Sequence, residues 1–487
     1  YPKITAVFGR EWVPGVDNDS HLTILHTPLQ GLLGYYSSSD EYPRQVHQFS
    51  NQREMIYIDS TNLLPGTSRY LGTLAHELTH AIQWRADRTE NTWIDEGLAE
   101  IGKKLAGYPS LLENAFLASP SISLINWPVV SSETQKHYGG ASLFMEYLAQ
   151  RYSYESLRVL QDHPANGIAG VEGYLQNTNS AISFNEVFGD WIVANYLDEP
   201  GNGRYSYNNR DVQVAVIDVV RINRTITGNV PQYGARYFKL KPAEKQVNIA
   251  FRGQRLSSIF TQDPPSGSHC WWSNKGESID STLTAQFELP HSNNLTLSYS
   301  LWYDIEESYD YAYTQVSTDG GETWEILQGN HSSMTNPVGN SFGPGYTGKS
   351  NGWIRDEIDL RSYAGQRVLI RFEYVTDNSL HGTGICLDDI AISSIGFLEN
   401  AESKDTRWKA LGFKRTKNSF PQKYLVKVIE VGAKNRVIDL WLDENQEGDI
   451  HIEGFGSSLD HAVVIVAGLD RISSSPATFE IDFGAPG

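Results

Sequence analysis

The hydrophobic pattern of this chain changes period once, and that change dictates the class of fold on either side of it. Up to Leu197, apolar residues recur mainly at helical spacing, interrupted by short strand-like runs. After the breaker Pro200-Gly201-Asn202-Gly203 they alternate or form β-branched runs, as in LTLSYSLWY, AYTQVSTDGGETWEIL and RVLIRFEYV. An α+β zone is therefore expected over residues 1–211, and a β-sandwich over 212–398. A polar segment, Glu399–Arg407, then leads into KYLVKVIEV, RVIDLWL and HAVVIVAGL, which predict a second small sandwich over 399–487. A chain of 487 residues exceeds what one hydrophobic core organises, so three domains suit its length.

In the first zone, HLTILH (21–26) and EMIYID (54–59) predict strands. Leu71, Leu74, Ala75, Leu78 and Ile82 give a helix after Pro65-Gly66-Thr67-Ser68 one apolar face. Further helices are expected over Trp93–Leu105, His137–Tyr152, Tyr154–Asp162, Val171–Gln176 and Phe184–Leu197.

Inside the first of these helices lies His76-Glu77-Leu78-Thr79-His80, an H-E-x-x-H motif. Four residues make about one helical turn, so His76 and His80 project from one face and can share a tetrahedral zinc ion. Glu77 is placed to act as general base on a water whose pKa the metal lowers. The third ligand is expected to be Glu96, in the Trp93-Ile94-Asp95-Glu96-Gly97-Leu98-Ala99-Glu100 segment of the next helix. Asp87 and Glu90 are nearer in sequence but lie in the polar connection RADRTEN, where carboxylates are ordinarily solvated. Glu100, one turn beyond Glu96, can orient His76 from behind.

H-E-x-x-H with W-I-D-E-G-L-A-E resembles the gluzincin metallopeptidases, and the zone is most similar to the hyicolysin-type branch of secreted bacterial enzymes. F-N-E-V-F-G-D-W-I-V-A-N-Y-L at 184–197 extends that resemblance. The metzincin extension is absent, since Gln83 and Ala86 occupy its Gly and third-ligand positions. One departure is that Glu96 follows His80 by only 16 residues, closer than in aminopeptidase-like or thermolysin-like gluzincins. Tyr138, in Y-G-G-A-S-L-F, resembles the Tyr-led segment that supplies an oxyanion donor in aminopeptidase-like gluzincins, with His137 as the alternative donor. The resemblance implies a zincin-like, gluzincin peptidase domain followed by two β-sandwiches.

The middle zone resembles the sandwich of immune inhibitor A-type secreted metalloproteases, through WWSNKGESIDSTLTAQFEL (271–289), LWYDIEESYDYAYTQVSTDGGETW (301–324) and GTGICLDDIAI (382–392). Asp304, Glu306, Glu307 and Asp310 crowd one strand end, and Asp388 and Asp389 another. Such carboxylates either bind calcium or are solvated at loop edges. Cys270 and Cys386 are the only cysteines, and form either one bridge or two buried thiols.

A net charge of −19 argues against a nucleic-acid partner. No run reaches the roughly 18 apolar residues of a membrane span. The chain opens at Tyr1 without an initiator Met, so it reads as a mature or trimmed piece. The expectation is a monomeric, secreted zinc metalloendopeptidase acting on protein or peptide substrates, with one catalytic zinc and structural calcium. An aminopeptidase and a non-catalytic surface- or polymer-binding protein are the competing readings.

Overall fold

A computed structural model describes residues 1–485 except 129, 130, 209, 217, 221, 242 and 243. The chain divides into two compact units, one of Tyr1–Ser257 with Pro421–Gly487 and one of Ser258–Phe420.

The first unit begins with α1 (Pro2–Phe8) and a three-stranded sheet of β1 (Thr23–Thr27), β2 (Gly34–Tyr36) and β3 (Met55–Asp59). β3 is central and wholly buried, with β1 parallel and β2 antiparallel to it. Seven helices follow: α2 (Ser68–Ala86), α3 (Thr92–Leu105), α4 (Glu113–Ala118), α5 (Ser131–Tyr152), α6 (Leu157–Gln161), α7 (Gly167–Asn177) and α8 (Phe184–Leu197). The helix expected from residue 137 thus starts earlier, at Ser131.

Caps mark where these helices begin. Thr67 accepts the Tyr70 amide at 3.3 Å, and Ser183 and Glu186 form a reciprocal capping box on α8. Trp93, Phe144, Phe184 and Trp191 pack edge-on and tilted at the centre of the helical layer.

Two glycines set how closely α3 is held. A Cβ on Gly97 would lie 2.7 Å from Met145 Cγ of α5, and one on Gly102 would lie 2.0 Å from Thr79 Oγ1 of α2. With no side chain at either position, α3 lies directly against both neighbours. Glu96 and Glu100 are thereby carried to the histidine face of α2.

Behind the helices stands a β-sandwich whose composition differs from the sequence reading. One sheet orders Arg436–Asp439, Tyr424–Gly432, Leu459–Gly468, Ala235–Leu240 and Asp218–Val220. The other orders Glu447–Glu453, Gln246–Gly253, Ala477–Gly484 and Arg224–Val230. Strands over 218–253, expected in the middle domain, thus pair with strands of the C-terminal one. The borders expected at 212 and 399 do not coincide with the borders of the sheets. Leu459–Gly468 is apolar along nearly its whole length because both its faces are covered. Val464 and Val466 face the sandwich core, while Val463, Ile465 and Ala467 join the core of the helical layer.

The second unit is the other sandwich, formed by strands between the two halves of the first. One sheet orders Glu325–Leu327, Tyr311–Ser317, Arg367–Val375, Asp280–Glu288 and Lys409–Leu411. The facing sheet orders Ile354–Asp359, Thr296–Asp304, Gly384–Ile392, His269–Trp272 and Lys414–Lys417. Arg367–Val375 alternates buried and less buried residues, the period-2 signature of a strand with one face inward. Cys270 and Cys386 are joined by a disulfide, Cα to Cα 5.9 Å, closing 116 residues of chain. Among the described residues no helix is long and apolar enough to cross a membrane.

Candidate metal centre

His76 and His80 leave the same face of α2 one turn apart, and their Nε2 atoms stand 3.1 Å from each other. Glu96 Oε2, from α3, lies 3.0 Å from His76 Nε2 and 3.3 Å from His80 Nε2. Ligands bound tetrahedrally at about 2.0–2.1 Å sit roughly 3.3 Å apart, so two nitrogens and one oxygen at these separations fit a zinc ion. The three side chains are nearly enclosed, with 12%, 18% and 16% exposure.

Each of the three is held from behind. Glu100 Oε1 lies 3.0 Å from His76 Nδ1. Burial alone would lower the His76 pKa, but Glu100 and Glu96 more than reverse this and raise it well above the usual value. Burial opposes ionisation of Glu100 too, yet His76 and Lys103 bring it down to about 2. Glu96 is likewise held well below the usual carboxyl range by both histidines, against the effect of burial. His80 Nδ1 is 2.9 Å from Gln83 Oε1, and Gln83 Nε2 donates to the Asp95 carbonyl at 2.8 Å. Gln83 therefore ties the orientation of His80 to the helix that carries Glu96. Sequence reasoning passed over it, although its i+3 spacing from His80 was a usable signal.

Glu77 is 6% exposed. Its carboxyl pKa is raised, chiefly by burial and against the pull of His76 and His80, and it accepts a hydrogen bond from the Tyr36 backbone N–H of β2. The Tyr138 hydroxyl donates to Glu96 Oε1 at 2.8 Å, and its ring is 6.1 Å from that of His76 and 5.0 Å from Trp127. Its neighbour His137 is buried. It bonds the Ser123 backbone and packs on Trp127, and burial lowers its pKa to about 4. Asp87 caps its own turn through Thr89, and Glu90 accepts the Asn91 and Gly167 amides.

The six acidic residues singled out in the middle zone do not form one group. Glu306 and Asp310 gather with Asp377, which the sequence did not flag. Glu306 Oε2 is buried without a hydrogen-bond partner among the described residues. Burial first, and Asp377 next, raises Glu306 and Asp310 each to about 8, while burial raises Asp377 to about 6. Asp304 instead pairs with Lys349 at 3.1 Å, and Glu307 is exposed. Asp388 accepts from the Ser266 amide and Asp389 from its hydroxyl.

Residues 241–418 match the family described as Immune inhibitor A-like, MAM domain. That match spans all the strands of the middle sandwich. Similar stretches occur in the pre-pro-metalloprotease PrtV of Vibrio cholerae, 31% identical over 159 residues, 32% of this chain and 16% of that protein. Immune inhibitor A of Bacillus thuringiensis subsp. alesti is 28% identical over 167 residues, 33% of this chain and 22% of that protein. Bacillopeptidase F of Bacillus subtilis is 30% identical over 104 residues, 21% of this chain and 6% of that protein. The chain thus spans less than a quarter of the length of these relatives, and the likeness falls on its β-rich part rather than on the histidine-bearing helices.

Proposed function

We propose that this chain is a secreted zinc metalloendopeptidase, gluzincin-like and of the hyicolysin type in its first 211 residues. One observation carries the reading: two imidazole nitrogens and the Glu96 carboxylate converge within 3.0–3.3 Å, with Glu77 and Tyr138 beside them. His76, His80 and Glu96 are the ligands, Glu77 the general base, Tyr138 the oxyanion donor and Glu100 the support of His76. Bound zinc supplies Lewis acidity, which lowers the pKa of water from about 16 toward 7.

Glu77 takes the proton of the attacking water. Its raised pKa makes it a better acceptor, and it can then pass the proton to the leaving amine. Tyr138 exchanges its bond to Glu96 for one to the developing oxyanion. β2 has a partner on one side only among the described residues, so its outer edge can pair with an extended peptide. An edge strand that can take an extended peptide accepts internal segments of a chain, which favours an endopeptidase over an aminopeptidase.

The second metal in the reading is calcium, at Glu306, Asp310 and Asp377 of the MAM domain. Buried acidic groups gathered this way repel when ionised, and a hard cation with oxygen ligands relieves that. A disulfide and relatives named as proteases support an extracellular setting.

The test is cleavage of a denatured protein whose amino terminus is chemically blocked. Internal cleavage that a chelator abolishes and zinc restores is expected. Activity confined to free amino termini would support the aminopeptidase instead, and zinc binding without any cleavage would support the non-catalytic reading.

A further inference from the structure

Beside the metal centre lies a second set of buried carboxyl groups that takes no part in the reaction described above. Glu41 ends the short 3-10 turn Ser38–Glu41 and Glu54 immediately precedes β3, with 4% and 3% exposure. One oxygen of each is satisfied by an ordinary donor. Tyr36 OH donates to Glu41 Oε1 at 2.9 Å, and the Val16 amide donates to Glu54 Oε1 at 2.6 Å. The other two oxygens, Glu41 Oε2 and Glu54 Oε2, are buried and meet no protein donor among the described residues.

The two carboxyl groups instead lie against each other, and the contact with Glu54 helps to raise the Glu41 carboxyl. Ionised carboxylates only accept hydrogen bonds, so this contact needs a proton on one of them. The basic residues of the same loop are engaged elsewhere, Arg44 on the Ser50 carbonyl and Arg53 on Asp17. Asp40, the third acidic group facing Glu41, is occupied by the Asn51 amide and the Tyr57 hydroxyl.

The pair reaches the metal centre through one residue. Tyr36 ends β2, opposite Ile56 of β3, with its hydroxyl anchored on Glu41. Its backbone N–H donates to the Glu77 carboxylate.

We infer that Glu41 and Glu54 share one proton, and that this pair positions the general base by fixing Tyr36 against Glu77. The positioning role rests on the reading of Glu77 as base, whereas the shared proton does not. Burial, then the contact with Glu54, raises the Glu41 carboxyl to about 8 from 4.5. A carboxyl raised on folding contributes stability that is full below its unfolded pKa and is lost as pH rises through the folded one. The pair therefore weakens between about pH 4.5 and 8. Loss of the proton sets two buried anions against each other and releases Tyr36.

The experiment uses the full chain with Glu41→Gln and its mirror Glu54→Gln. Either amide keeps the acceptor for the outer donor and brings an N–H for the remaining carboxylate, so the contact persists without titrating. The unfolding temperature of the parent should fall across roughly pH 5 to 9 more steeply than that of either Gln variant. A parent slope reproduced by both Gln variants overturns the shared proton, and this holds whether or not the chain is a peptidase. On a peptide substrate, Glu41→Ala should lower kcat about tenfold with KM little changed, and Glu41→Gln should restore it and extend activity to alkaline pH. An Ala variant that is less stable yet keeps the parent's kcat overturns the positioning role.

Discussion

The Tyr138 hydroxyl and the Glu96 carboxylate meet at 2.8 Å, the phenol donating to Oε1 while Oε2 faces both imidazoles. In the proposed reading, one carboxylate would serve the metal with one oxygen and hold the oxyanion donor with the other. Burial and the Glu96 charge raise the Tyr138 pKa well above the usual phenol value, so it remains a donor throughout the working pH range.

Tyr138→Phe removes an interaction made in full only as the carbonyl becomes tetrahedral. It should keep zinc and fold, and lower kcat by about 10²–10³ with KM little changed. Tyr152→Phe on the same helix, where the hydroxyl bonds Ser180, is the control and should remain active. Steady-state kinetics on both variants separates the roles, and equal activity would make Tyr138 a packing residue.

Glu77→Gln preserves size and the bond from the Tyr36 amide but cannot take a proton. Zinc content should be unchanged while turnover falls at least about 100-fold. Near-normal cleavage by the zinc-loaded variant would contradict the general-base role.

The parts of this molecule that were legible in the sequence are those in which local pattern determines structure. The leucine-rich face of α2, the His76–His80 spacing and the next helix with Glu96 and Glu100 are all short-range, and periodicity and one-turn offsets suffice to place them. The partners of the strands are not short-range. Gln246–Gly253 pairs with Ala477–Gly484 and Glu447–Glu453, and alternation at 246–253 carries no information about which distant strand completes the ladder. The same limit hid Asp377, which joins Glu306 and Asp310 only because the chain folds back after Arg367–Val375. Tyr36 was also out of reach, since its role depends on a backbone N–H rather than on its side-chain type.

Gln83 and Glu100 should matter for metal retention rather than for chemistry. Gln83→Leu and Glu100→Ala are each expected to weaken zinc affinity by about 10–100-fold, as losses behind a liganding histidine do. Competition with a chromogenic chelator reads this directly. Unchanged affinity in both variants would leave these contacts as packing only.

Calcium should stabilise the MAM domain, and more so as pH rises. Without the ion, the stability contributed by protonated Glu306, Asp310 and Asp377 is full below about pH 4 and is lost as pH climbs through about 6 to 8. Millimolar calcium replaces those protons, so its effect on the unfolding temperature should be small at acid pH and large above about pH 8. Asp377→Asn should blunt the response, whereas Asp304→Asn, which loses only a lysine partner, should not. A calcium response that is the same at all pH values, or absent, would contradict this assignment.

The most direct test of the metal centre is zinc content, measured by elemental analysis on the parent, Glu96→Ala and Glu90→Ala chains purified alike. The parent and Glu90→Ala should each hold about one zinc per chain, as a three-ligand site does, and Glu96→Ala should lose most of it. A parent without tightly held zinc, or a Glu96→Ala chain that keeps its full complement, would contradict the account.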